Sequence, residues 1–174
     1  MRSASATGAG PGEGGSIKAF LVDLDGTLAD TAEASFQAYS QALAERGRPG
    51  PPAIGGPAPD ASVRPRVRFN DALVVMLRQS HRSGVQLALV TTASAAHATS
   101  VLAARPDIAA LFSLRVTADD IRHPKPHPEA YCLAASRLGL APHECLVIED
   151  SQIGLAAGRA FGAAVLRVSM DGLR

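Results

Sequence analysis

Two carboxylates, Asp23 and Asp25, sit two residues apart in Asp23-Leu24-Asp25-Gly26-Thr27-Leu28, where the apolar run 17–23 gives out. Carboxylates this close repel unless one is protonated or a cation lies between them. Mg²⁺ meets that need, since it takes oxygen ligands and keeps several of its waters. Gly26 permits a sharp exit from the run, and Thr27 is placed to cap the turn or to touch a phosphate. Taken alone, such a motif is equally a turn built from Asp and Gly.

Three further polar groups close later apolar runs. Thr91 and Thr92 follow 87–90 and precede a helical pattern, so their hydroxyls and the free N–H groups of that helix can receive phosphate oxygens, or simply cap it. Lys125 stands in His123-Pro124-Lys125-Pro126-His127-Pro128, where alternating prolines stiffen the backbone, which suits a lysine aimed inward. A surface loop with a solvated lysine is the alternative. Glu149-Asp150 ends the run 146–148 with a second acidic pair, able to complete a nest around a divalent cation, Asp150 directly and Glu149 directly or through water. Ser151 opens the next helix as a cap.

The elements that must hold these groups follow from pattern. The run 17–23 is a short, buried strand. Asp30 with Glu33 three residues on reads as a capping box, and Ala32, Phe36, Tyr39 and Leu43 continue at helical spacing, predicting a helix over 31–46. In 47–60, nine of fourteen residues are Gly or Pro, which excludes helix and central strand. Asn70 caps a second helix that stops at Ser83-Gly84 before a strand over 85–90. Helices near 95–104, 128–138 and 152–161 then alternate with strands near 113–117, 145–149 and 163–168. That alternation implies a parallel sheet covered on both faces, with ligands bound outside the carboxyl ends of the strands.

Length and charge narrow the class. A chain of 174 residues suits one principal domain, and a net charge of +1 offers no electrostatic footprint for nucleic acid or an anionic membrane. No apolar run approaches the roughly 18 residues of a membrane span. Residues 1–16 lack the apolar core of a secretory signal and are expected to be a disordered tail. Cys132 and Cys145 fit neither a disulfide framework nor a zinc site, so a reducing, cytoplasmic setting is expected. His81, His97, His123, His127 and His143 form no helical i,i+4 pair and read as surface or capping residues.

Taken in order, DLDGTLADT, TTAS, KPHP and EDSQIGLAAGRAFG resemble the four motifs of the haloacid dehalogenase superfamily. The match is to the branch of phosphoglycolate phosphatases, beta-phosphoglucomutases and CbbY-type sugar bisphosphatases, over roughly 17–168. The resemblance implies an α/β fold, a Rossmann-like three-layer sandwich whose parallel strands run in the order 5-4-1-2-3. It maps Asp23 onto the nucleophile and Asp25 onto the general acid/base. Thr91 maps onto the phosphate-binding hydroxyl, with Thr92 beside it, and Lys125 onto the lysine that neutralises phosphate and nucleophile. Asp23, Asp25, Glu149 and Asp150 map onto the Mg²⁺ site. The implied activity is hydrolysis of a small phosphorylated metabolite, a sugar phosphate or phosphoglycolate, through an aspartyl-phosphate. An acid at position 25 disfavours carbon–halogen substrates.

Relatives of this branch insert a helical cap between the first and second motifs. Here 26–90 must also hold a core helix and strand, so the cap is expected to be truncated to 31–68, leaving 17–30 and 69–174 as the core domain. Weak water exclusion and broad specificity follow. Ser35 stands where a mutase-type relative carries its cap histidine, which disfavours a phosphomutase. A catalytically weak Mg²⁺/phosphate-binding protein is the other reading, against which stand the intact Asp23, Asp25, Lys125 and Asp150. The expected partner is a small phosphorylated substrate, on a monomer or homodimer.

Overall fold

The computed structural model describes residues 16–32, 43, 45–48, 67–170 and 172–173. The predicted helix over 31–46 and the Gly/Pro-rich loop lie almost wholly outside these residues, as does Ser35.

The chain begins with β1 (Ala19–Val22), every residue of which is buried. The short strands β2 (Ala29–Asp30) and β3 (Arg68–Phe69) pair antiparallel, Asp30 opposite Arg68. Asp30 thus lies in a strand, while its carboxylate still accepts from the backbone N–H of Ala32 at 3.3 Å. Helix α1 (Asp71–Arg82) follows, with the Asn70 carboxamide accepting from the Leu73 N–H at its N-terminus. Then come β4 (Gln86–Val90), α2 (Ala95–Ala103), the single turn α3 (Pro106–Ala109) and β5 (Leu114–Val116). The chain closes with α4 (Glu129–Leu138), β6 (Cys145–Glu149), α5 (Gln152–Phe161), β7 (Ala164–Ser169) and β8 (Gly172–Leu173).

The main sheet runs β5-β4-β1-β6-β7-β8. Its first five strands are parallel; counted in chain order they read 5-4-1-2-3 from the β7 side. The sheet differs from the expected one by β8, an antiparallel addition at the edge. Because side chains alternate across a strand, β1 sends Phe20 and Val22 to one face and Ala19 and Leu21 to the other. The first pair packs with Leu73 and Leu77 of α1, Val101 and Leu102 of α2 and Ile108 of α3. The second packs with Tyr131 and Ala134 of α4 and Ala157 and Phe161 of α5. Helices therefore cover both faces, a three-layer α/β sandwich of Rossmann type.

Register decides what meets at the carboxyl end. Val22 pairs with Leu89 on one side and Ile148 on the other. The next residues, Asp23, Val90 and Glu149, consequently end three adjacent strands at one level.

Candidate active site

Lys125 occupies the point where those three strands end. Its Nζ donates to Asp23 Oδ1 at 2.6 Å, to the Val90 carbonyl at 3.0 Å and to Glu149 Oε1 at 2.5 Å. Each of the ammonium's three donors is used, inside a site where Lys125 is 6% exposed, Asp23 7% and Glu149 0%. Burial alone would lower the lysine's pKa, but the carboxylates of Asp23 and Glu149 outweigh it and hold the pKa above its ordinary value. The side chain stays charged.

Glu149 is the anchor of this arrangement. Its Oε1 also accepts from the Tyr131 hydroxyl at 2.7 Å, and its Oε2 from the Ser151 hydroxyl at 3.0 Å. Burial, with the neighbouring carboxylates, pushes the Tyr131 phenol far above its usual range, so it remains a donor. Ser151 also accepts from the Gly154 N–H at 3.1 Å, capping α5. A Cβ on Gly154 would lie 1.9 Å from Glu149 Oε1, so only glycine lets the helix begin this close to the carboxylate.

Asp23 is raised to about 7, above all by burial, which Lys125 opposes and the charges of Glu149 and Asp150 reinforce. Asp150 Oδ1 accepts from the Thr27 hydroxyl at 2.8 Å. Gly26, at φ +84°, carries the motif loop past Asp150, where a Cβ would come within 2.4 Å of Oδ2. Thr27 therefore serves the acidic group rather than a turn cap.

Asp23, Glu149 and Asp150 present carboxylate oxygens within 4.8 Å of one another. Three carboxylates against one lysine leave an excess of negative charge in a largely buried site, the situation a divalent cation resolves. The donor set is all oxygen, which fits Mg²⁺. Both Glu149 oxygens already accept hydrogen bonds, whereas Asp23 and Asp150 each have one oxygen that accepts none among the described residues. The geometry thus favours Asp23 and Asp150 as direct ligands and gives Glu149 the supporting place.

Asp25 stands apart from that group. Its Oδ1 accepts from the Thr31 hydroxyl at 2.5 Å and meets His97 Nε2 at 2.8 Å. Its Oδ2 meets the Thr91 hydroxyl only at 3.4 Å. Asp25 was expected both as acid/base and as ion ligand; its carboxylate lies outside the acidic trio. Thr91 is buried and accepts from the Ala93 N–H at 3.0 Å, while Thr92 beside it is exposed.

Thr31, His97 and Tyr131 went unassigned in the sequence. His97 was expected at the surface or in a cap, and no local pattern marks a lone histidine 72 residues from its partner. A second group, His123, His127 and Glu129, also comes together, its two histidines expected only as surface or capping residues. Here Glu129 accepts from the backbone N–H groups of Arg122 and His123 and from the His123 ring, bracing the loop that carries Lys125.

Comparison with known proteins gives the family. Residues 66–162 match the model of the haloacid dehalogenase-like hydrolases. The chain belongs to that family and is a hydrolase. It is 32% identical to hexitol phosphatase A of Escherichia coli over 87% of this chain and 83% of that protein. It is 30% identical to pyrophosphatase PpaX of Bacillus velezensis, over 88% and 83%. Among solved structures, CbbY from Rhodobacter sphaeroides in complex with phosphate superposes with a TM-score of 0.76 at 22% identity, covering 88% of this chain and 86% of that one. That likeness extends the fold agreement across almost the whole chain. Among the described residues no helix is long and apolar enough to cross a membrane.

Proposed function

We propose that this hydrolase is a Mg²⁺-dependent phosphatase that cleaves a small phosphorylated metabolite, of sugar phosphate or phosphoglycolate type, through an aspartyl-phosphate on Asp23. The observation that carries the reading is the buried Lys125, which ties Asp23 to Glu149 at the junction of three strand ends while a second aspartate waits beside it on its own donors. The relatives' names point the same way, and they differ from one another in substrate while agreeing on a phosphorylated one.

Lys125 holds the Asp23 carboxylate through Oδ1, so that it is fixed in place as one of its oxygens attacks. A bond forms from that oxygen to phosphorus as the ester P–O bond breaks in line with it. Asp25 gives its proton to the departing alkoxide. It then takes a proton from the water that attacks the phosphoenzyme, releasing inorganic phosphate and restoring Asp23. A divalent cation held by Asp23 and Asp150 supplies positive charge that keeps Asp23 ionised and offsets its repulsion from the phosphate. Lys125 and the Thr91 hydroxyl hold equatorial phosphate oxygens, and Thr92, being exposed, is the weakest of the proposed phosphate contacts.

The β2–β3 pair marks the two ends of the insertion, supporting a core of 17–30 and 69–174 with a shortened cap between. A short cap selects substrate loosely. Phosphate release from p-nitrophenyl phosphate and a panel of hexose phosphates, hexitol phosphates and 2-phosphoglycolate tests the reading. The expected result is release that requires Mg²⁺, stops with EDTA and is abolished in Asp23→Asn. A folded wild type that releases no phosphate, or an Asp23→Asn variant that still turns over, overturns it.

A further inference from the structure

We infer that His97 is a positioning residue for Asp25, holding its carboxylate so that Oδ2 alone exchanges the proton with the leaving group and the water. The inference rests on the phosphatase reading above and adds to it a residue from the core rather than from the insertion.

Three observations carry it. His97 Nε2 lies 2.8 Å from Asp25 Oδ1, and the Thr31 hydroxyl donates to that same oxygen at 2.5 Å. Met by two side chains from different elements, Oδ1 is held in place, which leaves Oδ2 as the oxygen turned to the leaving group and the water. Oδ2 is the oxygen on the side of Thr91, whose hydroxyl is 3.4 Å away, and therefore on the side of the proposed phosphate site.

The third observation is that the imidazole sits on a fixed base. His97 lies in the first turn of α2, where its own N–H donates to the Ser94 hydroxyl at 3.2 Å. Asp119 Oδ2 accepts from the Ala95 N–H at 3.0 Å, tying the same turn to the segment after β5. The side chains of His97 and Asp25 are 27% and 34% exposed, so the pair stands at the rim, where a carboxylate left alone would rotate. Thr31 alone fixes one contact point. His97, reaching from a different element, fixes the orientation, and a misaimed acid loses rate steeply.

The experiment measures kcat and KM for wild type, His97→Leu and His97→Gln with two probes. One is p-nitrophenyl phosphate, whose leaving group departs without a proton; the other is the alkyl phosphate of the panel with the highest wild-type kcat/KM. A residue acting through Asp25 changes kcat/KM for the second probe and little for the first, because kcat/KM reports the steps up to the phosphoenzyme, whereas the base step enters kcat for both. His97→Leu is expected to lower kcat/KM for the alkyl phosphate about 10–100-fold, with less than about a threefold change for p-nitrophenyl phosphate. His97→Gln, whose amide N–H can occupy the place of Nε2–H, is expected to recover most of the loss. In an Asp25→Asn background, His97→Leu is expected to cost nothing further.

Equal losses of kcat/KM on both probes, a rise confined to KM and to the inhibition constant of inorganic phosphate, or an undiminished cost in the Asp25→Asn background would each overturn the inference, because His97 would then bind substrate or support the fold. Thermal unfolding of each variant shows that it is folded. A wild type without Asp23-dependent phosphate release overturns the phosphatase reading itself, whereas the three outcomes above leave that reading standing.

Discussion

The centre of the site and its rim solve opposite problems with the same side chains. At the centre, Asp23 and Glu149 are buried and bound to one ammonium whose every proton is used. At the rim, Asp25 is about one-third exposed and is held by hydroxyls and an imidazole. A buried charge is tolerated only with a partner that cannot leave, so the centre is rigid and its polar groups are costly to remove. A group that must lose and regain a proton in every cycle needs a less binding environment and access to water. The contrast teaches how, on the proposed mechanism, two aspartates of one motif, two residues apart, would divide the chemistry by burial.

Stability of the Mg²⁺-free protein makes that contrast measurable, and the largest effect is expected at the lysine. Lys125→Met removes the cation from between two buried carboxylates and should cost about 3–5 kcal/mol by urea unfolding, with Mg²⁺ restoring part of it. A cost below about 1 kcal/mol would mean that the centre does not depend on its ion pairs. Next, Gly154→Ala places a methyl 1.9 Å from Glu149 Oε1, so α5 or the carboxylate must shift. An expected loss of about 1–3 kcal/mol, accompanied by a fall in phosphatase activity because Glu149 anchors Lys125, checks this. Wild-type stability and rate in that variant would show that Glu149 has room to move.

Removing the buried negative charge at Asp23 should act in the opposite direction. The carboxyl titrates near pH 7 in the folded chain against its ordinary 3.8, chiefly through burial. Folding therefore loses stability as pH rises from about 4 to 7, and the loss is complete above that. Asp23→Asn has no such loss, and Lys125 keeps its bonds to Glu149 and Val90. In EDTA, the midpoint of Asp23→Asn should exceed that of wild type by roughly 2–5 °C at pH 8, with the gap shrinking toward pH 5. A gap that is constant with pH, or of the other sign, would show that Lys125 more than offsets the burial of this carboxylate.

How much of this was legible without coordinates divides along the same line. Each strand and helix predicted after residue 69 falls within a residue or two of its observed bounds, because buried runs such as 145–149 and caps such as Asn70 and Ser151 are local signals, whereas α3 and β8 were not foreseen. The expected strand order needed the resemblance, since spacing alone does not choose neighbours. Residues at the ends of strands were legible as site candidates because a parallel sheet has a functional end. Thr31, His97 and Tyr131 were not, since each acquires its meaning from a partner on another element, and a single hydroxyl or imidazole carries no periodic signature. Asp30, expected as a helix cap, pairs with β3 in a strand and also accepts from the Ala32 N–H, while Glu33 of the expected capping box lies outside the described residues. The role of Glu149 also needed coordinates, because an acidic pair at a strand end does not reveal that one member faces a lysine and a tyrosine.

The smallest expected effect on stability belongs to Asp25→Asn, and it separates rim from centre most sharply. Asn retains an oxygen to accept from Thr31 and His97 and keeps the side chain's volume, and the position is partly open to solvent. The change in unfolding free energy should stay within about 0.5 kcal/mol. Activity toward alkyl phosphates should nevertheless fall about 10²–10⁴-fold, because Asn can neither protonate a leaving alkoxide nor take a proton from water. A phosphoenzyme that forms from p-nitrophenyl phosphate and then persists, read as a burst of nitrophenol without turnover, is the expected signature. Here the first step needs no acid and the second needs the base. If Asp25→Asn instead destabilised the chain as much as Lys125→Met, the rim would be part of the structural centre, and the division of labour between the two aspartates would fail.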